Sequence, residues 1–331
     1  MKKIKWTLSS LVLIAFAVIF WASGTPKPVQ EPAKVLTDLS PGVTPDAKEL
    51  TRITEDKLQE FSPHVSPDGT RLLYEIVDPT KDASSQYVIM LKVLGTPGVT
   101  PLLSEGCRSP SWMNDSRGFY FSYTKPGKPV IAKSKIDQMG ISYVSANANG
   151  GYDYNPYLFT AQNKVLFTTS IGEANQICTI EQNGLNFTLL TEGYDPFPHP
   201  KKNLFVFTKK IGVATQIFLY DFTTSQQTQI TNSSDFSSAN ASISPDGKWI
   251  AFQRYKIADK STNYEKTSSH IFIMNLEGGN LRQLTTGKTW NSQPCFGSDG
   301  FIYFASNAGN SDKYRRYDNY DIWRVRPNLS E

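Results

Sequence analysis

The sequence predicts an all-β fold, a six-bladed β-propeller of four-stranded blades whose ring is closed by the N-terminal strand. Three observations predict it. A turn motif recurs at a near-constant period, short aromatic and β-branched runs fill the gaps between its copies, and no segment keeps a helical period over more than about ten residues.

The clearest turn copies are Ser66-Pro67-Asp68-Gly69 and Ser244-Pro245-Asp246-Gly247, each leading into a strand that ends in an aromatic, Tyr74 and Phe252. A third, one residue shorter, runs Gly297-Ser298-Asp299-Gly300 into Tyr303-Phe304. Pro and Asp-Gly supply the chemistry of a tight turn. Degenerate copies follow Pro110, Pro156 and Pro196. With Pro63 as marker, the equivalents are Pro110, Pro156, Pro196, Ala241 and Pro294, at steps of 47, 46, 40, 45 and 53 residues. That is the length of a four-stranded blade. Third strands read Tyr87–Met90, Gln176–Thr179, Gln216–Leu219, His270–Ile273 and Asp321–Arg324. Fourth strands read Thr188–Thr191, Thr228–Thr231 and Arg282–Thr285. Six markers give six blades. The last blade lacks a fourth strand at the C-terminus, and Leu50–Thr54 supplies one. Placed beside Ile322–Arg324, it closes the ring and removes the open edge.

Ahead of the repeats, residues 1–24 join the basic start Lys2, Lys3 and Lys5 to an apolar run, Leu11 to Ala22, ending in small residues. This is a signal peptide or a retained N-terminal membrane anchor. Either predicts export, and any membrane contact is expected through this segment alone. Residues 25–49 form a linker with five prolines, extended and poorly packed. The propeller is expected over residues 50–331.

Hydrophobic residues make up 39% of the 331 and charged residues 19%, too apolar for a disordered chain and too polar for a multi-span membrane protein. Setting aside Lys2, Lys3 and Lys5 takes the 34 basic residues to 31, against 30 acidic. That balance excludes a general nucleic-acid binder. Cys107, Cys178 and Cys295 are too few and too scattered for a disulfide framework and read as buried small hydrophobes.

The repeat resembles the TolB-type propeller family, whose unit runs from a Leu-Thr strand through Pro-x-x-Ser-Pro-Asp-Gly-Lys into an apolar strand. The resemblance covers residues 50–326, specific in two copies, fair in a third and degenerate in three. TolB is a periplasmic component of the Tol–Pal envelope system and carries a separate N-terminal domain. Here a Pro-rich linker stands in its place. The resemblance implies the fold and a binding role in the bacterial envelope, without identity to the TolB subunit.

Blade topology places the Asp-Gly turns on one face. The loops before each marker, and those between second and third strands, share the other. The expected site is therefore a polar ring at the channel mouth: Glu60 and Ser62, Arg108 and Ser109, Tyr154 and Asn155, Tyr194 and Asp195, Ser238 and Asn240, Asn291 and Gln293. Two insertions, residues 255–268 and 307–319, belong to the same face. The second holds Tyr314, Arg315, Arg316 and Tyr317, side chains enriched at binding hot spots.

The sequence shows no Gly-x-Ser-x-Gly elbow, no His-Glu-x-x-His, no nucleotide-binding glycine loop, and three scattered histidines. No catalytic residue, metal or cofactor is expected. The turn aspartates read as turn chemistry rather than calcium ligands. The expected function is a non-catalytic exported scaffold for an envelope protein or peptide. The alternative is a propeller that binds or cleaves a glycan such as peptidoglycan, using Glu60, Asp153 and Asp195 as acid and base.

Overall fold

The computed structural model describes residues 42–55, 58–103, 105–145, 150–172, 174–257, 268–308 and 319–329. They form six antiparallel four-stranded sheets arranged in a ring. Blade 1 runs Gln59–Val65, Arg71–Val77, Tyr87–Val93 and Thr100–Leu103, from the axis outward. The inner strands of blades 2 to 6 are Cys107–Trp112, Tyr152–Phe159, Tyr194–Pro198, Phe236–Ile243 and Asn291–Phe296. The one helical turn among the described residues is the 3-10 segment Thr160–Gln162. The expected signal segment, residues 1–24, lies outside the described residues.

In blade 6 the outer strand is Ala47–Arg52, antiparallel to Asp321–Pro327, with Thr51 opposite Arg324 and Arg52 opposite Trp323. It starts three residues before the expected Leu50. Gly42–Val43, also expected in the linker, pairs with Thr285–Thr286 beside blade 5.

Six equivalent second-strand positions hold Tyr74, Phe121, Phe167, Phe207, Phe252 and Phe304, each at most 1% exposed. This is the physical meaning of the aromatic ending read in the sequence. The core is six separate clusters, each drawn from two neighbouring blades, and one joins Leu72 and Tyr74 of blade 1 to Phe301 and Tyr303 of blade 6. Sheet packing on sheet therefore binds every blade to the next. Cys107, Cys178 and Cys295 are buried and free.

The Ser-x-Asp-Gly turns have a mechanical explanation. The Ser66 hydroxyl donates to Asp68 at 2.6 Å and accepts the Arg71 amide at 3.0 Å, while Asp68 accepts the Thr70 amide at 3.0 Å. Ser244, Asp246, Lys248 and Trp249 repeat this arrangement. Hydrogen bonds led by Ser66 hold the Asp68 carboxyl down at about 2. Blade 4 lacks the motif, and there His199 Nδ1 accepts the amides of Lys201 and Lys202 instead. Gly247 (φ 80°) packs so closely on His199 that a Cβ would collide with the imidazole. Gly247→Ala is expected to lower the unfolding free energy by about 2 kcal/mol. Gly95→Ala, at φ 81° in open space, isolates the backbone share, and guanidinium titrations of the pair separate strain from collision.

The hydroxyls at the outer-strand ends latch the blades. Thr54, Ser145, Thr231 and Thr285 accept third-strand amides of Ile322, Ile131, Ile217 and Ile271 at 2.8–2.9 Å. Thr54 then donates to Glu60, and Ser145 to Asp153, in the blade that follows. Thr285 accepts the Asn291 amide nitrogen at 3.0 Å. Three of the four hydroxyls thus bond across a seam, while that of Thr231 donates to Gln216 within blade 4.

Candidate functional site

The residue before each marker adopts a left-handed backbone: Ser62, Ser109, Asn155, Asp195, Asn240 and Gln293, with φ of 50–53°. At the same place each inner strand slips register against its neighbour, a β-bulge. Five of the six markers are proline, which has no N–H for the broken ladder to strand. The bulge turns all six left-handed residues toward the axis, where they line a cavity of about 60 Å³. Six non-glycine residues held at positive φ is a costly arrangement, and such strain collects at functional sites.

Two hydrogen-bonded arcs build the rim. Over blades 3 to 5, Asp195 accepts the amide nitrogens of Asn155 and Asn240, the latter at 2.8 Å. Thr168 accepts the Asp195 backbone amide at 3.1 Å. Over blades 6, 1 and 2, Gln293 Oε1 accepts the Ser62 amide at 2.9 Å. Glu75, 3% exposed, then accepts the Ser62 hydroxyl at 3.2 Å and the Ser109 amide at 2.6 Å. Each arc holds one carboxylate with its donors preset.

The floor comes from the residues just past the markers. His64, Tyr157 and Phe197 meet with ring centroids 4.9–6.3 Å apart. They belong to blades 1, 3 and 4, so their rings reach across the axis and obstruct the channel beneath the rim. His64 Nδ1 accepts the Trp112 amide at 3.3 Å, which leaves the proton of the neutral ring on Nε2. Burial lowers the His64 pKa to about 4, and burial raises that of Asp195 to about 6 against the opposing pull of Asn155 and Arg108.

Just outside the rim, the Arg108 guanidinium lies 4.4 Å from the Tyr87 ring centre and 5.8 Å from that of Tyr154. Burial raises the phenol pKa of both Tyr154 and Tyr194. Arg108, Tyr154, Asn155, Tyr194, Asp195, Asn240 and Gln293 thus gather at one channel mouth. Glu60 does not join them. It is fully buried, bonded to the Thr54 hydroxyl and the Ile322 amide at the blade 6–1 seam. Asp153, Ser238 and Asn291 are likewise at most 1% exposed and absent from the cavity lining. Tyr314, Arg315, Arg316 and Tyr317 lie outside the described residues. Sequence reasoning missed Glu75 and the aromatic floor. A step of one residue past each marker, to His64, Tyr157 and Phe197, finds the floor. For Glu75 the signal is an acid inside the apolar run Leu72 to Val77.

No protein-family model matches the chain, and no curated protein matches it at a significant level. Solved structures do. A protein designated TolB from Agrobacterium tumefaciens superposes with TM-score 0.60 at 16% identity, over 83% of this chain and 92% of that one. TolB from Acinetobacter baumannii gives 0.59 at 17%, over 78% of this chain and 65% of that one, so the chain spans less than two thirds of its length. An oligogalacturonate lyase in complex with manganese gives 0.54 at 11%, over 86% and 96%. At these identities the likeness is one of fold. The chain is a six-bladed β-propeller with a TolB-like fold.

Proposed function

We propose that the chain is an exported, non-catalytic scaffold of the bacterial cell envelope that binds a protein or peptide at the channel face of its propeller. The observation that carries this reading is the prebuilt mouth. Six strained backbone positions and two hydrogen-bonded arcs fix the rim side chains, so little ordering cost is left for binding. Arg108, Tyr154 and Tyr194 beside the cavity are side chains of the hot-spot type. The docking role expected of Tyr314, Arg315, Arg316 and Tyr317 is part of the same proposal. The segment 1–24 serves as export signal or inner-membrane anchor, and the Pro-rich linker gives the propeller reach.

A glycan hydrolase uses two carboxylates flanking the scissile bond. Glu60 and Asp153 are spent on blade seams, and the second rim carboxylate, Glu75, is buried and already accepts the Ser62 hydroxyl and the Ser109 amide, which leaves Asp195 as the carboxylate in the cavity lining. This weighs against that chemistry. Recovery of a cross-linked envelope partner is expected to fall at least tenfold in an Arg108→Ala/Tyr154→Ala variant. It should persist in Lys248→Ala, on the Asp-Gly-turn face. Equal recovery by both variants removes the channel face from the reading. Turnover of peptidoglycan that vanishes in Asp195→Asn replaces the reading with the enzymatic one.

A further inference from the structure

The channel cavity holds an acid with no ion-pair partner among the described residues. Arg108 acts on Asp195 only from beyond ion-pair range. Its two side-chain hydrogen bonds come from the amide nitrogens of Asn155 and Asn240. Both amide orientations are forced, because an ionised carboxylate can only accept. Each Asn therefore keeps its carbonyl oxygen away from Asp195, and no donor reaches either oxygen among the described residues. Asp195, Asn155 and Asn240, from three consecutive blades, all line the same small cavity, with one carboxylate and two amide carbonyls among them.

We propose that this part of the channel is a receptor for a primary ammonium group, the N-terminal amine of a peptide or a lysine side chain. An –NH3⁺ group brings one charge, three donors and no acceptor, which matches the three acceptor groups and the single countercharge. A divalent cation asks for about six oxygens or more. Among the described residues no group of three His, Cys, Asp or Glu could hold a metal. The partly exposed rings of Tyr157 and Phe197 below add aromatic faces on which an organic cation gains further attraction. A cavity of about 60 Å³ admits a thin chain end and excludes a folded surface. The inference rests on the channel mouth being a docking site, and it names the group that enters.

Calorimetric titration of the full chain with n-butylammonium chloride tests it without any envelope partner. Binding is expected in the millimolar range. Tetramethylammonium, which has the charge but no N–H, and n-butanol, which lacks the charge, should bind at least tenfold more weakly. Asp195→Asn, shown to be folded by circular dichroism, should lose at least tenfold. No binding of n-butylammonium, equal binding of either control, or undiminished binding to folded Asp195→Asn overturns the proposal. Three short peptides then assign the source: a lysine-free one with a free amine, its N-acetyl form, and an N-acetyl peptide with one lysine. Preference for the first assigns the terminal amine, and preference for the third assigns lysine. Equal binding of the acetylated lysine-free peptide overturns the ammonium reading. Partner recovery unaffected by n-butylammonium leaves the scaffold function standing while removing this site from it. Amine binding without any recovered partner does the reverse.

Discussion

Arg52→Ala is expected to lower the unfolding free energy by about 3 kcal/mol. Arg52 lies on the strand that completes blade 6, and its guanidinium reaches Asp321 at 2.6 Å. The Asp321 side chain is fully buried and that of Arg52 is 20% exposed. Removing the cation takes its ion-pair partner from a fully buried carboxylate, and losing one partner of a buried pair costs about 3–5 kcal/mol. Arg326 on the neighbouring strand is the control. It pairs with Glu49 at 3.0 Å, but the two side chains are 35% and 49% exposed, so Arg326→Ala should cost less than about 1 kcal/mol. An added Asp321→Asn should recover part of the Arg52→Ala loss, since the buried charge that Arg52 balanced is then gone. Guanidinium titrations of the four proteins check the ordering. Equal losses in Arg52→Ala and Arg326→Ala would show that the buried pair does not hold this seam.

Much of the architecture was legible because its signals are local. A Ser-Pro-Asp-Gly turn is fixed by hydrogen bonds within six residues, Ser66 to Arg71, so its copies mark the blades directly. The alternation of strands fails at one point, which is where the site lies. Residues one and three places before a marker share a parity, so a regular strand points Ser62 and Glu60 the same way. The bulge between Phe61 and His64 breaks that parity. Ser62 turns to the channel, and Glu60 goes into the seam with blade 6. The same break separates Asn155 from Asp153 and Gln293 from Asn291. Nothing in the spacing announces a bulge, apart from the proline that follows it. Glu75 was hidden for a different reason: its partner Ser109 lies in the next blade, 34 residues on, and such a contact leaves no local pattern.

The cavity also sets two opposed titrations. Burial lowers His64 from its ordinary 6.5 to about 4. The fold holds it neutral, so its contribution is present above pH 6.5 and is lost as the pH falls from there toward 4. Burial raises Asp195 from 3.8 to about 6. The fold holds it charged at a cost above pH 6, and that cost is relieved as the pH falls toward 3.8. Each shift corresponds to about 3 kcal/mol at most, over nearly the same window and with opposite sign. In the wild type the two largely cancel, so each single substitution should unmask the other group. Between about pH 7 and pH 4, Asp195→Asn should lose about 3 kcal/mol more stability than wild type, and His64→Phe should lose about 3 kcal/mol less. The loss of the Trp112 amide's acceptor in His64→Phe offsets its curve without tilting it, so the slope is the quantity to compare. Urea titrations at half-unit pH steps provide those slopes. Parallel curves for all three proteins would mean that neither group titrates across this window, and that the cavity is wetter than its lining implies.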